Sequence, residues 1–125
     1  MIDVVEEFGL NAGRVWTALT ICGPLTEEEL MEETSLRKNE LSAAIGWLSR
    51  ENKISKDGDV FKLEKTNMTV QIGSNAGKVW QLLANMDKDV NTNYISKMLE
   101  IDMDDTFSAL GWLAREGKID FKKGK

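Results

Sequence analysis

An internal repeat constrains the fold of this chain more than any other feature. Residues 44–54, AIGWLSRENKI, return near the end as residues 109–119, ALGWLAREGKI, 65 positions later. Upstream, residues 9–16, GLNAGRVW, return as residues 73–80, GSNAGKVW, 64 positions later. Two echoes in the same order and at nearly the same offset indicate a duplicated unit of about 60 residues.

The duplication predicts two small domains where a chain of 125 residues would ordinarily form one. We name them copy 1, residues 1–65, and copy 2, residues 66–125. A domain of about 60 residues buries little surface and is only marginally stable alone. We therefore expect the two copies to dock in a fixed contact.

In copy 1 the residue pattern predicts three helices and a β-hairpin. An apolar stripe follows Asn11, the expected N-cap of the first helix, and Gly23-Pro24 ends it. Thr26 and Glu29 have the spacing of a capping box at the second helix. Asp57-Gly58 between two β-prone runs predicts the hairpin turn. The predicted elements are helices near 11–22, 27–33 and 38–51 and strands near 53–55 and 60–63, with Asn52 in the left-handed conformation after the third helix.

Copy 2 repeats this order, except that its hairpin is incomplete. Its second and third helices are predicted near 92–99 and 103–116, with Asn91 and Asp102 as N-caps. The joining segment is expected to hold a short strand at Met68–Ile72. The chain ends soon after Gly117, so the second hairpin has its first strand and lacks the return strand.

Three helices and a two-stranded hairpin, with a short turn between the second and third helices, form the winged helix-turn-helix plan. The segments 11–16 with 46–54, and 75–80 with 111–119, resemble a short bacterial and archaeal winged helix-turn-helix family of unknown function. The resemblance implies a mainly α (α+β) fold of two tandem winged helix-turn-helix domains, each with three helices and a wing, the second wing truncated. By analogy of fold it also implies DNA binding.

Composition excludes several classes of function. The chain has no His and one Cys, which removes the commonest general base and thiolate metal clusters, so we expect no enzyme, no metal site and no cofactor. Cys22 is predicted to be a small buried hydrophobe. The acidic start lacks the features of a signal peptide, and no apolar run approaches the roughly 18 residues of a membrane span. We expect a cytoplasmic protein with no membrane partner.

The outer face of the third helix in copy 1 is the candidate DNA-binding surface. A helix in the major groove uses Asn or Arg on base edges and Lys or Arg on phosphates. This helix is mildly basic at its start and end, although the net charge of the chain is −5. The candidate residues are Arg37, Lys38, Asn39, Ser42, Arg50, Lys53 and Lys56.

Copy 2 is a poor candidate for the same role. Its third helix starts with Asp102, Asp104 and Asp105, which would meet phosphates with like charge and are better placed as helix caps. Phe107 occupies the position matched to Ser42 and is predicted to be exposed. An exposed Phe at that position favours contact with a protein.

The four Trp residues fall on the repeat. Trp16 and Trp80 lie on the apolar stripes of their helices and are predicted to be core. Trp47 and Trp112 lie one step off the buried stripe of the third helix. They either close the edge of the core or lie in an interface, where buried aromatic residues often act as anchors.

Two glycines in the middle of the third helices suggest a close contact. Gly46 and Gly111 each cost about 1 kcal/mol relative to Ala, so a backbone is expected to approach them. The flat faces around them can pack against each other about a pseudo-two-fold axis. Alternatively, the first helix or the wing of the same copy fills each notch. The interface candidates are Gly46, Trp47, Phe107, Gly111 and Trp112.

Two hypotheses about function follow from the sequence. In the first, the chain is a DNA-binding transcriptional regulator in which copy 1 contacts double-stranded DNA. In the second, the chain is a non-catalytic protein-interaction module built from paired winged-helix units. In both, the two copies pair within the chain.

Overall fold

A computed structural model of the chain describes residues 4–86 and 89–120. Each copy contributes three α-helices, and the strands form one small antiparallel sheet. The elements are α1 (Val4–Cys22), β1 (Leu25–Thr26), α2 (Glu27–Thr34), α3 (Lys38–Arg50), β2 (Ser55–Asp57), β3 (Val60–Lys62), a π-helix (Thr69–Gly73), α4 (Ser74–Ala84), α5 (Thr92–Leu99) and α6 (Met103–Arg115).

Capping side chains start the short helices where the sequence predicts them. In the capping box of α2, the Glu29 amide donates to the Thr26 hydroxyl and the Thr26 amide donates to the Glu29 carboxylate. Asn91 accepts from the Tyr94 amide at α5, and Asp102 accepts from the Asp105 amide at α6. Each cap satisfies an amide that has no partner inside the helix.

The sheet has the strand order β1-β3-β2, and all of its pairs are antiparallel. Strands β2 and β3 form the predicted wing, although β2 begins at Ser55, two residues later than the predicted strand, and Gly58 takes a positive φ of 61° in the turn. Strand β1 was not predicted, because two residues carry too little pattern. It pairs Leu25 with Phe61 and so ties the start of α2 to the wing.

The second copy has no β-strand among the described residues. Residues 118–120, where the first strand of the second wing was predicted, are irregular, so that part of the prediction is wrong. Residues 121–125 lie outside the described residues.

Two predicted boundaries are wrong for a common reason. The first helix begins at Val4 instead of Asn11, and Asn11 is a buried residue in its interior. The segment predicted as a strand at Met68–Ile72 belongs to the π-helix, which runs directly into α4. Both segments precede the first helix of a copy, and both are helical because they pack on the other copy.

The repeat is visible in the backbone as well as in the sequence. Ser35 ends α2 with φ of 60°, and its matched residue Glu100 ends α5 with φ of 55°. Asn52 and Gly117 take φ of 62° and 71° after the third helices. Positive φ is uncommon outside glycine, so three non-glycine residues at matched positions indicate turns imposed by the duplicated fold.

Two hydrophobic clusters form the interior, and the copies exchange residues between them. Copy 1 supplies most of the first cluster, which also buries Met68 and Ile72 from the segment before α4. Copy 2 supplies most of the second, which also buries Val4 and Phe8 from the first two turns of α1. Each copy therefore completes the core of the other.

Three residues predicted to be core are exposed. Trp16 is 44% exposed and Trp80 is 42% exposed. Because α1 extends back to Val4, its buried stripe runs through Phe8, Ala12, Val15 and Leu19, and Trp16 lies at the edge of that stripe. Cys22 is also exposed at the end of α1, so its predicted burial is wrong.

None of the helices in the described parts of the chain combines the length and the apolar character that a membrane crossing requires.

Candidate functional site

The outer face of α3, which the sequence suggests for DNA, lies against α6. A Cβ atom added to Gly46 would lie 1.9 Å from the carbonyl oxygen of Ser108. At the matched position, a Cβ atom added to Gly111 would lie 1.9 Å from the carbonyl oxygen of Ala43. Real Cβ atoms do not approach so closely, so each glycine admits the backbone of the opposite helix. Of the two alternatives for the glycines, copy-to-copy packing is the one observed.

Burial along α3 shows how completely α6 covers it. Its inner face carries Leu41, Ala44, Ile45 and Leu48, which belong to the first cluster. The middle of the outer face is also buried, so the exposure predicted for Ser42 is wrong, whereas Asn39 and Arg50 at its ends are exposed. Ser49 is buried as well, and its hydroxyl donates to the Ile45 carbonyl at 2.8 Å within the same helix. Neither hydroxyl can reach a base edge while α6 is in place.

Trp47 and Trp112 lie where the two clusters meet. Both indoles are half-buried and pack against residues of both clusters. The Trp47 ring lies against Gly9, and a Cβ atom added to Gly9 would be 3.0 Å from it. The Trp112 ring lies against Gly73, and a Cβ atom added to Gly73 would be 3.3 Å from it. The glycine that opens each upstream repeat motif thus accommodates the indole of its own copy.

Ion pairs cross the contact symmetrically near the ends of α3 and α6. Arg50 pairs with Glu116 at 2.9 Å, and Arg115 pairs with Glu51 at 2.9 Å. The Arg50 guanidinium lies 5.9 Å from the centroid of the Trp112 ring, and the Arg115 guanidinium lies 5.9 Å from the centroid of the Trp47 ring. These partly exposed pairs contribute modestly to stability, on the order of 1 kcal/mol or less each. They fix the register of the two helices.

One ion pair breaks the symmetry of the contact. Lys38, at the start of α3, pairs with Asp104 of α6 at 3.0 Å. The hydrogen bond that Lys38 donates to the Asp104 carboxylate, and the negative charge of Asp104, raise the pKa of Lys38. The positions matched to these two residues hold Met103 and Asn39, which form no ion pair. This contact favours pairing between unlike copies.

The carboxylates at the start of α6 oppose one another. Burial, together with the charges of Asp102 and Asp104, raises the pKa of Asp105. Folding therefore favours its protonated form, and this contribution to stability is lost as the pH rises through the folded-state pKa.

We expect Asp105→Asn to increase stability at pH 7 by a small amount, because the substitution removes the disfavoured charge. Below about pH 3, where Asp is protonated in both states, the difference should vanish. Thermal melts of the two proteins from pH 2.5 to pH 8 measure this. A variant that loses stability at pH 7 would show that the helix dipole outweighs the carboxylate repulsion.

The remaining DNA-binding candidates lie around the rim of the contact. Arg37, Asn39 and Lys56 are exposed, and Lys56 lies 5.5 Å from the centroid of the Phe61 ring on the wing. Lys53 is exposed just past α3 and reaches Glu51 at 3.7 Å. Arg50 and Lys38 are held in ion pairs across the contact.

Phe107 lies in the contact region as well. It is half-buried and packs on the second cluster, so its predicted exposure is wrong. Its matched residue, Ser42, is smaller, and the two therefore fill unequal volumes on the two sides of the pseudo-two-fold axis.

Charge is divided unequally between the copies. Copy 1 has 8 Lys or Arg against 13 Asp or Glu, whereas copy 2 has 8 of each. The net charge of −5 therefore comes from the copy that carries the DNA-binding candidates. No three or more Cys, Asp or Glu side chains within residues 4–86 and 89–120 are grouped as metal ligands would be.

A comparison with protein families places both copies in one group. The family described as Winged helix-turn-helix domain (DUF2582) matches residues 4–67 and again residues 63–125. The chain belongs to this family. No curated protein and no solved structure matches the chain. The repeat predicted a tandem duplication and the resemblance predicted winged helix-turn-helix domains, and the two matches confirm both. DNA binding is a common property of such domains in general.

Two features that join the copies of this DUF2582 protein were not predicted, although each has a signal in the sequence. The dipeptide Arg-Glu occurs at 50–51 and again at 115–116, and its two halves form the crossed ion pairs. Phe8 precedes Ala12 by one helical repeat, which extends the apolar stripe toward the N-terminus. What this residue packs against could not be read from the stripe.

Proposed function

We propose that this protein is a non-catalytic protein-interaction module in which two winged-helix units are paired through their third helices. The observation that carries the proposal is the contact of α3 with α6 at Gly46 and Gly111. A winged helix-turn-helix domain reads DNA with the outer face of its third helix. Here the middle of that face, around Gly46 and Gly111, is buried in both copies, and it serves the pairing instead.

Charge supports the same conclusion. Copy 1 is acidic overall, and the N-terminus of α6 holds Asp104 and Asp105, which would repel phosphates. Large apolar side chains are exposed away from the contact, on α1 and on α5. Exposed apolar residues on a small protein are typical of surfaces that bind other proteins.

DNA binding is the second candidate function, and two observations favour it. The chain belongs to a winged helix-turn-helix family. Arg37, Asn39 and Lys56 are exposed at the start of α3 and on the wing. In this arrangement the protein would contact phosphates more than base edges, and binding would weaken steeply with salt. A role as a transcriptional regulator would require this DNA-binding activity.

Fluorescence anisotropy with a mixed-sequence duplex of 30 base pairs separates the two candidates. We expect no binding by the intact protein at about 50 mM salt up to about 100 µM protein, because electrostatic binding is strongest at low salt. Submicromolar binding that is lost in Arg37→Ala/Lys56→Ala would contradict the proposal and establish the DNA-binding alternative.

A variant that loosens the contact tests the role of the buried face. Gly46→Ala places a methyl group where the Ser108 carbonyl lies and should weaken the pairing. If α3 reads DNA, exposing its outer face should raise the affinity for DNA. We expect no such gain. A protein partner retained from a nuclease-treated host extract, and reconstituted as a complex from purified components, would support the proposal directly.

A further inference from the structure

The exposed surfaces of α1 and α5 differ in character from those of the helices that the repeat matches to them, α4 and α2. Between α1 and α2 of copy 1 lies an open groove of about 660 Å³. Leu10, 54% exposed, and Ile21, 77% exposed, lie along it. The residues matched to them in copy 2 are the polar Ser74 and Asn85. The two apolar residues along the groove of copy 1 are therefore replaced by polar ones at the matched positions of copy 2.

The groove is lined by one acidic side chain, Glu33, and one basic side chain, Arg14, and it lies beside the C-terminal ends of α1 and α2. Glu33 and Thr34, from the last turn of α2, line it, and Ile21 and Cys22 come from the last turn of α1. Neither turn contains a basic residue, so the negative ends of both helix dipoles are uncompensated by Lys or Arg there. Glu33 forms no ion pair with another described residue, and Arg14 is the basic residue that lines the groove.

The outer face of α5 has the complementary character. Tyr94 and Met98 lie one helical turn apart on α5, and both are exposed, Met98 by 55%. Lys97 lies beside them and forms no ion pair within residues 4–86 and 89–120. The residues matched to these three are Glu29, Glu32 and Glu33, which form the acidic outer face of α2.

We infer that α5 of one chain docks in the α1–α2 groove of a second copy of this chain. Tyr94 and Met98 would cover Leu10 and Ile21. Lys97 would face Glu33 at the C-terminal end of α2. An amphipathic helix in an apolar groove is a recurrent mode of recognition. The inference rests on the proposed function, since it names a partner for the interaction module.

The two surfaces are different parts of the molecule, so the contact is head-to-tail. A pair of chains bound in this way still offers one free groove and one free α5, and association therefore continues into open assemblies or closes into a ring. A single helix in a groove buries little area, and such contacts are weak, with Kd values on the order of 10–100 µM.

Sedimentation velocity of the full chain under reducing conditions tests the inference, because reduction keeps the exposed Cys22 from forming disulfides. From about 10 µM to about 1 mM, we expect the average mass to rise above the 14.0 kDa of one chain. Ile21→Glu blocks the groove and Met98→Glu blocks the helix, and each should weaken self-association at least about tenfold. Val70→Glu is the matched control, because Val70 is 85% exposed on the π-helix and the change adds the same charge.

A mixture of the two blocked variants gives the decisive result. The intact α5 of the Ile21→Glu chain fits the intact groove of the Met98→Glu chain, so the mixture should form a species of two chains and nothing larger. A Met98→Glu chain that self-associates normally would overturn the inference, as would a wild-type chain that stays monomeric at about 1 mM. Neither failure touches the proposed function, because the pairing of α3 with α6 lies within one chain.

Discussion

Replacing Gly46 or Gly111 by Ala should cost about 3 kcal/mol of unfolding free energy, near the upper end of the range for overpacked cores. The added methyl group would lie 1.9 Å from a carbonyl oxygen of the opposite helix, and a backbone cannot yield as a flexible side chain can. In an open helix the same change would stabilise the protein by about 1 kcal/mol, since Ala is the better helix former. The sign of the effect therefore reports whether the faces are packed.

Gly13 and Gly77 provide the matched control for this prediction. Both lie inside helices of the two copies, and no atom lies within 4 Å of a Cβ added to either. Ala at these positions should be stabilising by up to about 1 kcal/mol. Urea denaturation followed by circular dichroism measures all four variants. If Gly46→Ala stabilises as Gly13→Ala does, the third helices are not packed together in solution.

Phe8→Ala should be as destabilising, with an expected loss of about 3–5 kcal/mol. Phe8 is 5% exposed and is buried in the second cluster, where it contributes to the core of copy 2 from the first helix of copy 1. Removing the ring leaves a cavity between the copies, and both halves should lose stability in a single transition.

Leu10→Ala is the control for Phe8→Ala, because Leu10 lies on the same helix and is largely exposed. Its effect should stay within about 0.5 kcal/mol. The comparison separates packing of the first two turns of α1 from their helix propensity. A loss below about 1 kcal/mol for Phe8→Ala would mean that α1 starts later in solution, as the position of Asn11 suggested.

The two copies depend on each other to complete their hydrophobic cores. The segment before α4 gives Met68 and Ile72 to the first cluster, and α1 gives Val4 and Phe8 to the second. Each copy therefore lacks part of its own core when the other is removed. This exchange accounts for how units of about 60 residues, which are marginal alone, form a stable protein.

Much of the local structure could be predicted because its signals lie within a few residues. The capping box of Thr26 and Glu29, the N-caps of α5 and α6 and the turn at Gly58 each depend on residues no more than three or four apart. The repeat supplied the order of the elements, since a duplicated sequence folds into a duplicated backbone. The left-handed conformations at Asn52 and Gly117 confirm this at matched positions.

The candidate site could be predicted only in part. Gly46 and Gly111 indicated that something approaches the third helices, but local pattern gave no reason to prefer the other copy over the same copy. Ser42 and Phe107 were expected to be exposed because the outer face of an isolated amphipathic helix faces solvent. The partner that covers that face lies about 65 residues away in the chain, beyond the reach of any periodicity argument.

Local sequence thus set where each helix, cap and turn occurs, because those choices depend on neighbours along the chain. Which face of α3 meets solvent, where α1 begins and why the segment before α4 is helical were set by packing between the copies. The physical reason is that burial is a property of two surfaces. A stripe of apolar or small residues indicates a surface that can pack against another one. Whether that surface is covered depends on the docking of the second copy.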